Sequence, residues 1–81
     1  MRYPKDFGGW NGNKRYLTGY PVCILQWGSG KTKTFAVEVL GLSVHQNNYF
    51  PIPGKGDEAL QKAIDKAYEW KEKIKEGGHG D

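Results

Sequence analysis

Apolar and polar residues alternate along Thr34-Phe35-Ala36-Val37-Glu38-Val39, with Phe35, Val37 and Val39 on one face and Thr34, Ala36 and Glu38 on the other. A period of two marks a strand with one buried face. Upstream, Val22-Cys23-Ile24-Leu25-Gln26-Trp27 is apolar on both faces and rich in the β-branched and aromatic residues that suit a pleated surface. Between them, Gly28-Ser29-Gly30-Lys31 reads as a tight turn. The pattern predicts a first strand over residues 20–27, with Pro21 at its beginning because proline has no N–H to give a ladder. It predicts a second over residues 32–40, ended or bulged at Gly41. Leu42-Ser43-Val44-His45 reads as a continuation past that glycine, and Gln46-Asn47-Asn48 as a turn. Tyr49-Phe50-Pro51-Ile52-Pro53 reads as a short third strand whose prolines suit an edge.

After Gly54-Lys55-Gly56 the period changes. Ala59, Leu60, Ala63, Ile64, Ala67, Trp70 and Ile74 recur at spacings of three and four, the stripe of a helix beginning at Asp57. Asp57 and Glu58 sit near its positive N-terminal end. Gly77-Gly78 supplies a C-terminal stop, and Gly78-His79-Gly80-Asp81 reads as a frayed tail. The alanines allow close approach to a sheet, where Leu60, Ile64 and Ala67 would meet Phe35, Val37 and Val39. The expected fold class is therefore α+β: a three-stranded antiparallel β-sheet packed against one C-terminal α-helix, in a single domain over residues 20–76. Residues 77–81 form a flexible tail. Residues 1–19 form an aromatic and glycine-rich segment, in which the Asn11-Gly12 turn signal joins Phe7–Trp10 to Lys14–Leu17 as a hairpin able to cover the sheet.

Composition narrows the class. A chain of 81 residues is one small domain with a modest core and no room for a cleft between two domains. Its one cysteine, Cys23, lies mid-strand and reads as a small hydrophobe; a small secreted domain would carry more, so a reducing, cytoplasmic setting is expected. No run approaches the ~18 apolar residues of a membrane span, and no signal peptide is expected. Charge is uneven. Residues 1–35 hold six cations against Asp6 alone, a balance of +5, whereas residues 36–81 hold six lysines against eight acids, a balance of −2. That asymmetry suits a polyanion on the strand half.

Several chemistries are not supported. Gly28-Ser29-Gly30-Lys31-Thr32 resembles the tail of a phosphate-binding loop, but Leu25 stands where the first glycine belongs, and a strand pattern follows where a helix is required. Cys23, His45 and His79 lack the paired spacing of a zinc site. No nucleophile with a base can be picked out, so no catalytic residue, metal or cofactor is expected. What remains is cations interleaved with planar side chains: Lys14, Arg15, Tyr16, Gln26, Trp27, Lys31 and Lys33. Lysine and arginine attract phosphate, aromatic rings stack on bases, and a β-ribbon can lie in a major groove. The alternative for the same residues is that Trp27 belongs to the core and the lysines keep a turn solvated.

The order strand, Gly-and-Lys turn, strand, short strand, helix resembles the Apetala/ethylene-response-factor type of DNA-binding domain, and is similar to the arm-binding domain of some integrases. The resemblance covers about residues 20–75 and rests on Trp27, Lys31, Lys33, Phe35-Ala36-Val37, Tyr49-Phe50-Pro51-Ile52, Gly56, Glu58-Ala59-Leu60 and Ala63-Ile64. It implies that the sheet face away from the helix enters the major groove, with Gln26, Trp27, Lys31, Lys33 and Thr34 nearest DNA. Ala36 and Glu38 depart from the arginines and tryptophans the family carries on that face. The functional expectation is a small non-enzymatic DNA-binding module of phage or mobile-element type. Lys14, Arg15, Lys31 and Lys33 would lie on phosphates, and Gln26 and Trp27 on bases or sugars. Duplex DNA, or RNA, is the expected partner, with no membrane. The alternative is a protein-interaction module, such as a viral inhibitor of a host complex, using Trp10, Tyr16, Tyr20, Trp27 and the apolar second face of the first strand.

Overall fold

The computed structural model describes residues 3–42 and 47–78. The described residues form a five-stranded antiparallel meander: β1 (Phe7–Asn11), β2 (Lys14–Leu17), β3 (Val22–Trp27), β4 (Thr34–Val39) and β5 (Tyr49–Ile52), adjacent in chain order across the sheet. One helix, α1 (Gly56–Lys73), follows and runs on into a π turn over Ile74–Gly78. The α+β class and the C-terminal helix agree with expectation, but the sheet has five strands rather than three. Of the expected continuation of the second strand over residues 42–45, Leu42 is not in a strand and residues 43–45 lie outside the described residues, as do Gln46 of the expected turn and residues 79–81 of the expected tail.

The two additional strands come from the amino-terminal segment. β1 and β2 pair through a two-residue loop, Gly12-Asn13, one residue later than the expected turn, with Gly12 at a φ of +67°. β2 then pairs with β3, setting Arg15 opposite Ile24 and Tyr16 opposite Cys23. The hairpin therefore extends the sheet sideways instead of covering its face. The reason is a free ladder: β3 has backbone groups on two sides, and β4 satisfies only one of them.

Alternation sorts the sheet. Val22 and Ile24 of β3, Phe35, Val37 and Val39 of β4, and Leu17 and Phe7 join Ala59, Leu60, Ala63, Ile64 and Ala67 of α1 in one buried cluster. Ala59, Ala63 and Ala67 are fully buried, so the helix backbone lies close over β3 and β4. Tyr68 and Trp70, two residues apart on α1, reach opposite margins. Tyr68 meets Phe7 edge-on at 6.0 Å and Trp70 meets Phe50 at 5.6 Å. Asp6 adds polar fastening, accepting a bond from the Tyr68 hydroxyl at 3.2 Å and lying 3.8 Å from the Lys71 ammonium. These ties are exposed and individually worth little.

β3 and β4 are joined by more than a tight turn. Residues 28–33 include a 3-10 turn at Gly30–Thr32, and the Thr32 hydroxyl donates to the Ser29 carbonyl at 2.8 Å. The chain then enters β4, so no helix follows the glycine-lysine stretch, as a phosphate-binding loop would need. The loop instead docks on the start of α1, where the Gly56 amide donates to the Lys33 carbonyl at 2.8 Å. Both sheet edges are irregular: β1 shifts register between Phe7 and Trp10, and β5 carries Pro51.

Gly56 has a φ of +68°, and a Cβ there would stand 3.1 Å from the Lys31 carbonyl oxygen; Gly30 has a φ of +59° with open space around it. Gly30→Ala is expected to cost about 1 kcal/mol for the left-handed backbone alone. Gly56→Ala should cost roughly 2–3 kcal/mol, because backbone must also move. Urea unfolding of the two variants compares them; equal midpoints would show that the loop does not press on the helix start.

Candidate nucleic-acid interface

The connection between β3 and β4 and the start of α1 meet at one end of the sheet. Between them lies an open groove of about 570 Å³ lined by Gly30, Lys31, Lys33, Lys55, Gly56 and Asp57. The loop is held there by the Gly56–Lys33 backbone bond and by the absence of a Cβ on Gly56. Lys62, one turn further along the helix, folds back so that its ammonium stands 3.9 Å from where a Cβ of Gly54 would be. None of Lys31, Lys33, Lys55 and Lys62 makes an ion pair among the described residues. Lys5, ahead of β1, likewise makes none, but the remaining five lysines contrast with these. Lys14 pairs with Glu38 at 3.5 Å, Lys66 and Lys73 both with Glu69, Lys71 with Asp6 and Lys75 with Glu72. Positive charge is thus left over at the groove, where three lysines line a wall with one acid, and the positive end of the helix dipole adds to it.

The sheet face turned away from α1 carries the opposite set of each strand. Register places Tyr16, Cys23, Glu38 and Tyr49 in one row across it, and Lys14, Leu25, Ala36 and Pro51 in the next. Trp27 and Thr34 form a last, paired row at the lysine end. Among the described residues, no helix or strand lies over this face. Its centre is apolar and its two charges, Lys14 and Glu38, are paired. The Cys23 thiol lies 3.8 Å from Glu38, and burial first, then that carboxylate, raises its pKa to about 11. It remains protonated at neutral pH and is a poor nucleophile.

The expected contact residues divide three ways. Lys14, Trp27 and Thr34 lie on the outer face. Lys31 and Lys33 line the groove at its end. Arg15 and Gln26 lie on the helix side, opposite Ile24 and Phe35 respectively. Arg15 is engaged there: its guanidinium sits 4.4 Å from the centroid of Tyr3 and 5.6 Å from that of Trp10, and its Nε donates to the Gly8 carbonyl. Adjacent residues of a strand point to opposite faces, so Lys14 with Arg15, and Gln26 with Trp27, do not share one surface. Lys55 was not among the expected residues; its signal was the Gly-Lys-Gly break before the helix. Tyr49 likewise adds an exposed ring to the outer face.

Among the described residues no group of three His, Cys, Asp or Glu side chains is placed to hold a metal ion, and no helix is long and apolar enough to cross a membrane. His45 and His79 lie outside the described residues. No family model matches the chain, and neither a curated protein nor a solved structure matches it.

Raising the Cys23 pKa from 9.0 to about 11 lowers its thiolate fraction near pH 8 by about 100-fold. A thiolate of higher pKa is also the stronger nucleophile, so an aromatic disulfide reagent at that pH should modify the folded protein more slowly than the urea-unfolded chain by about tenfold or more. Comparable rates would place the thiol in an open, ionised setting.

Proposed function

We propose that this protein is a small non-enzymatic nucleic-acid-binding module that grips a phosphate backbone at the end of its sheet. The supporting observation is the distribution of unmatched charge. Lys31, Lys33 and Lys55 converge on one groove without ion-pair partners among the described residues, whereas Lys14, Lys66, Lys71, Lys73 and Lys75 each lie beside an acid; Lys5 and Lys62, which are also unpaired among the described residues, do not line it. A phosphate backbone gains from such a cluster by releasing its condensed counterions, a gain that matched pairs do not supply. Trp27 and Thr34 border the same end and offer a ring and a hydroxyl beside it. In this reading Lys31, Lys33 and Lys55 contact phosphates, Trp27 contacts a base or sugar, and Arg15 and Gln26 support the sheet from behind. The source expected from the resemblance, a phage or mobile element, belongs with this proposal.

The outer face favours a second reading. Its apolar strip of Leu25, Ala36 and Pro51, with a paired rather than free charge on each side, suits a protein surface better than a polyanion. A stoichiometric protein partner that survives nuclease treatment supports that reading.

The triple variant Lys31→Ala, Lys33→Ala, Lys55→Ala is expected to stay folded and bind a labelled oligonucleotide more weakly. The slope of log K against log salt should fall by about 2–3, at roughly 0.7–0.9 for each phosphate no longer neutralised. Lys66→Ala with Lys73→Ala, which removes two cations that share the Glu69 carboxylate away from the groove, should leave the slope unchanged. Anisotropy across a salt series measures both. The same slope in parent and triple variant would remove the groove from the account.

A further inference from the structure

We infer that the ligand of this interface is single-stranded nucleic acid, held by its backbone at the lysine groove while its bases lie across the outer sheet face. The inference rests on the nucleic-acid reading above and specifies the strand state of the partner.

The first observation is where rings are left unpaired. Tyr3, Phe7, Trp10, Phe50, Tyr68 and Trp70 all lie on the helix side of the sheet or on the helix itself, and each contacts another ring. Five rings make no ring contact among the described residues: Phe35, which is buried in the core, Tyr20, which lies 5.5 Å from the Lys71 ammonium, and Tyr16, Trp27 and Tyr49, which register places on the outer face. Trp27 is 42% exposed and Tyr49 41%, large values for rings on a sheet whose central residues are buried. An open ring on a flat surface is a stacking platform for a base already free of its partner. Bases inside a duplex present only their edges.

The second observation is where charge is missing. A sheet seated in a major groove has a phosphate row along each flank and needs cations on both. Here three of the unmatched lysines, Lys31, Lys33 and Lys55, gather at one end of the sheet. The far row of the outer face carries Tyr16, Cys23, Glu38 and Tyr49, and its acid would oppose a second backbone. One cationic end with a ring-bearing, charge-balanced floor matches one backbone with exposed bases. Strand spacing puts Tyr16 and Tyr49 about 14 Å apart across the sheet. Trp27 lies about 13 Å along the strands from their row. The rings therefore serve bases that are not immediate neighbours, with the exposed Pro51 beside the intervening ones and Leu25 and Ala36 buried between the rings.

The test compares the full chain binding oligothymidine, oligouridine and a hairpin duplex of matched length, by anisotropy at physiological salt. Tighter binding of either single strand than of the duplex, by about tenfold or more, is expected; the two single strands distinguish DNA from RNA as its source. Trp27→Ala should weaken single-strand binding by roughly 5- to 150-fold, the range for losing one stacked base, and Trp27→Phe should retain most of it. Circular dichroism checks that both variants keep the fold. Duplex binding equal to or tighter than single-strand binding would overturn the inference and leave the phosphate-gripping function standing. So would an unchanged affinity in Trp27→Ala. No binding of any oligonucleotide at low salt would overturn the function itself, and the inference with it.

Discussion

The contact between three alanines of α1 and the β-branched face of β3 and β4 governs the rest of the molecule. Ala59, Ala63 and Ala67 are fully buried against Val22, Ile24, Val37 and Val39, with Leu60 and Ile64 filling the sides. A small chain has little apolar surface to remove from water, so nearly all of it is committed to this one layer. The helix is thereby fixed to one face, and among the described residues no helix or strand covers the other. The same contact sets the end of the sheet, because it brings the first turn of α1 down onto the β3–β4 connection.

The parts of this fold legible in the sequence were those where periodicity is strong. The alternation from Thr34 to Val39 and the three- and four-residue spacing from Ala59 to Ala67 mark β4 and α1, although β4 begins two residues later than the expected 32–40 because Thr32 belongs to the 3-10 turn, and Pro51 marks β5 as an edge. The amino-terminal strands were harder to read because Gly8 and Gly9 interrupt the pattern and Phe7 and Trp10 share a face only through a shift in register. Aromatic residues next to glycine do not say whether a hairpin will lie over a sheet or beside it. The unpaired edge of β3 decided that, and such an edge is visible only once the neighbouring strands are placed.

The candidate interface was legible in part for a different reason. Lys31 and Lys33 are close in sequence to Trp27, so their proximity follows from the chain alone. Lys55 comes to the same groove only through the crossing of the helix start over the loop, where segments far apart in sequence meet. Arg15 and Gln26 illustrate the opposite case. Each neighbours a residue of the outer face, and strand geometry for that very reason turns it inward, where Arg15 lies against Tyr3 and Trp10. Charge along the sequence therefore overstated the cationic character of the outer face and missed its concentration at one end.

The two margins of the meander share a property that matters beyond the single chain. A bare strand edge is a template on which another copy can add, the first step towards a fibre. At β5, Pro51 has no amide hydrogen to offer an incoming strand. At β1, the offset between Phe7 and Trp10 breaks the even spacing that a regular ladder needs. Each border is thus a poor seed for polymerisation, and the sheet can end at both margins without inviting endless lateral growth.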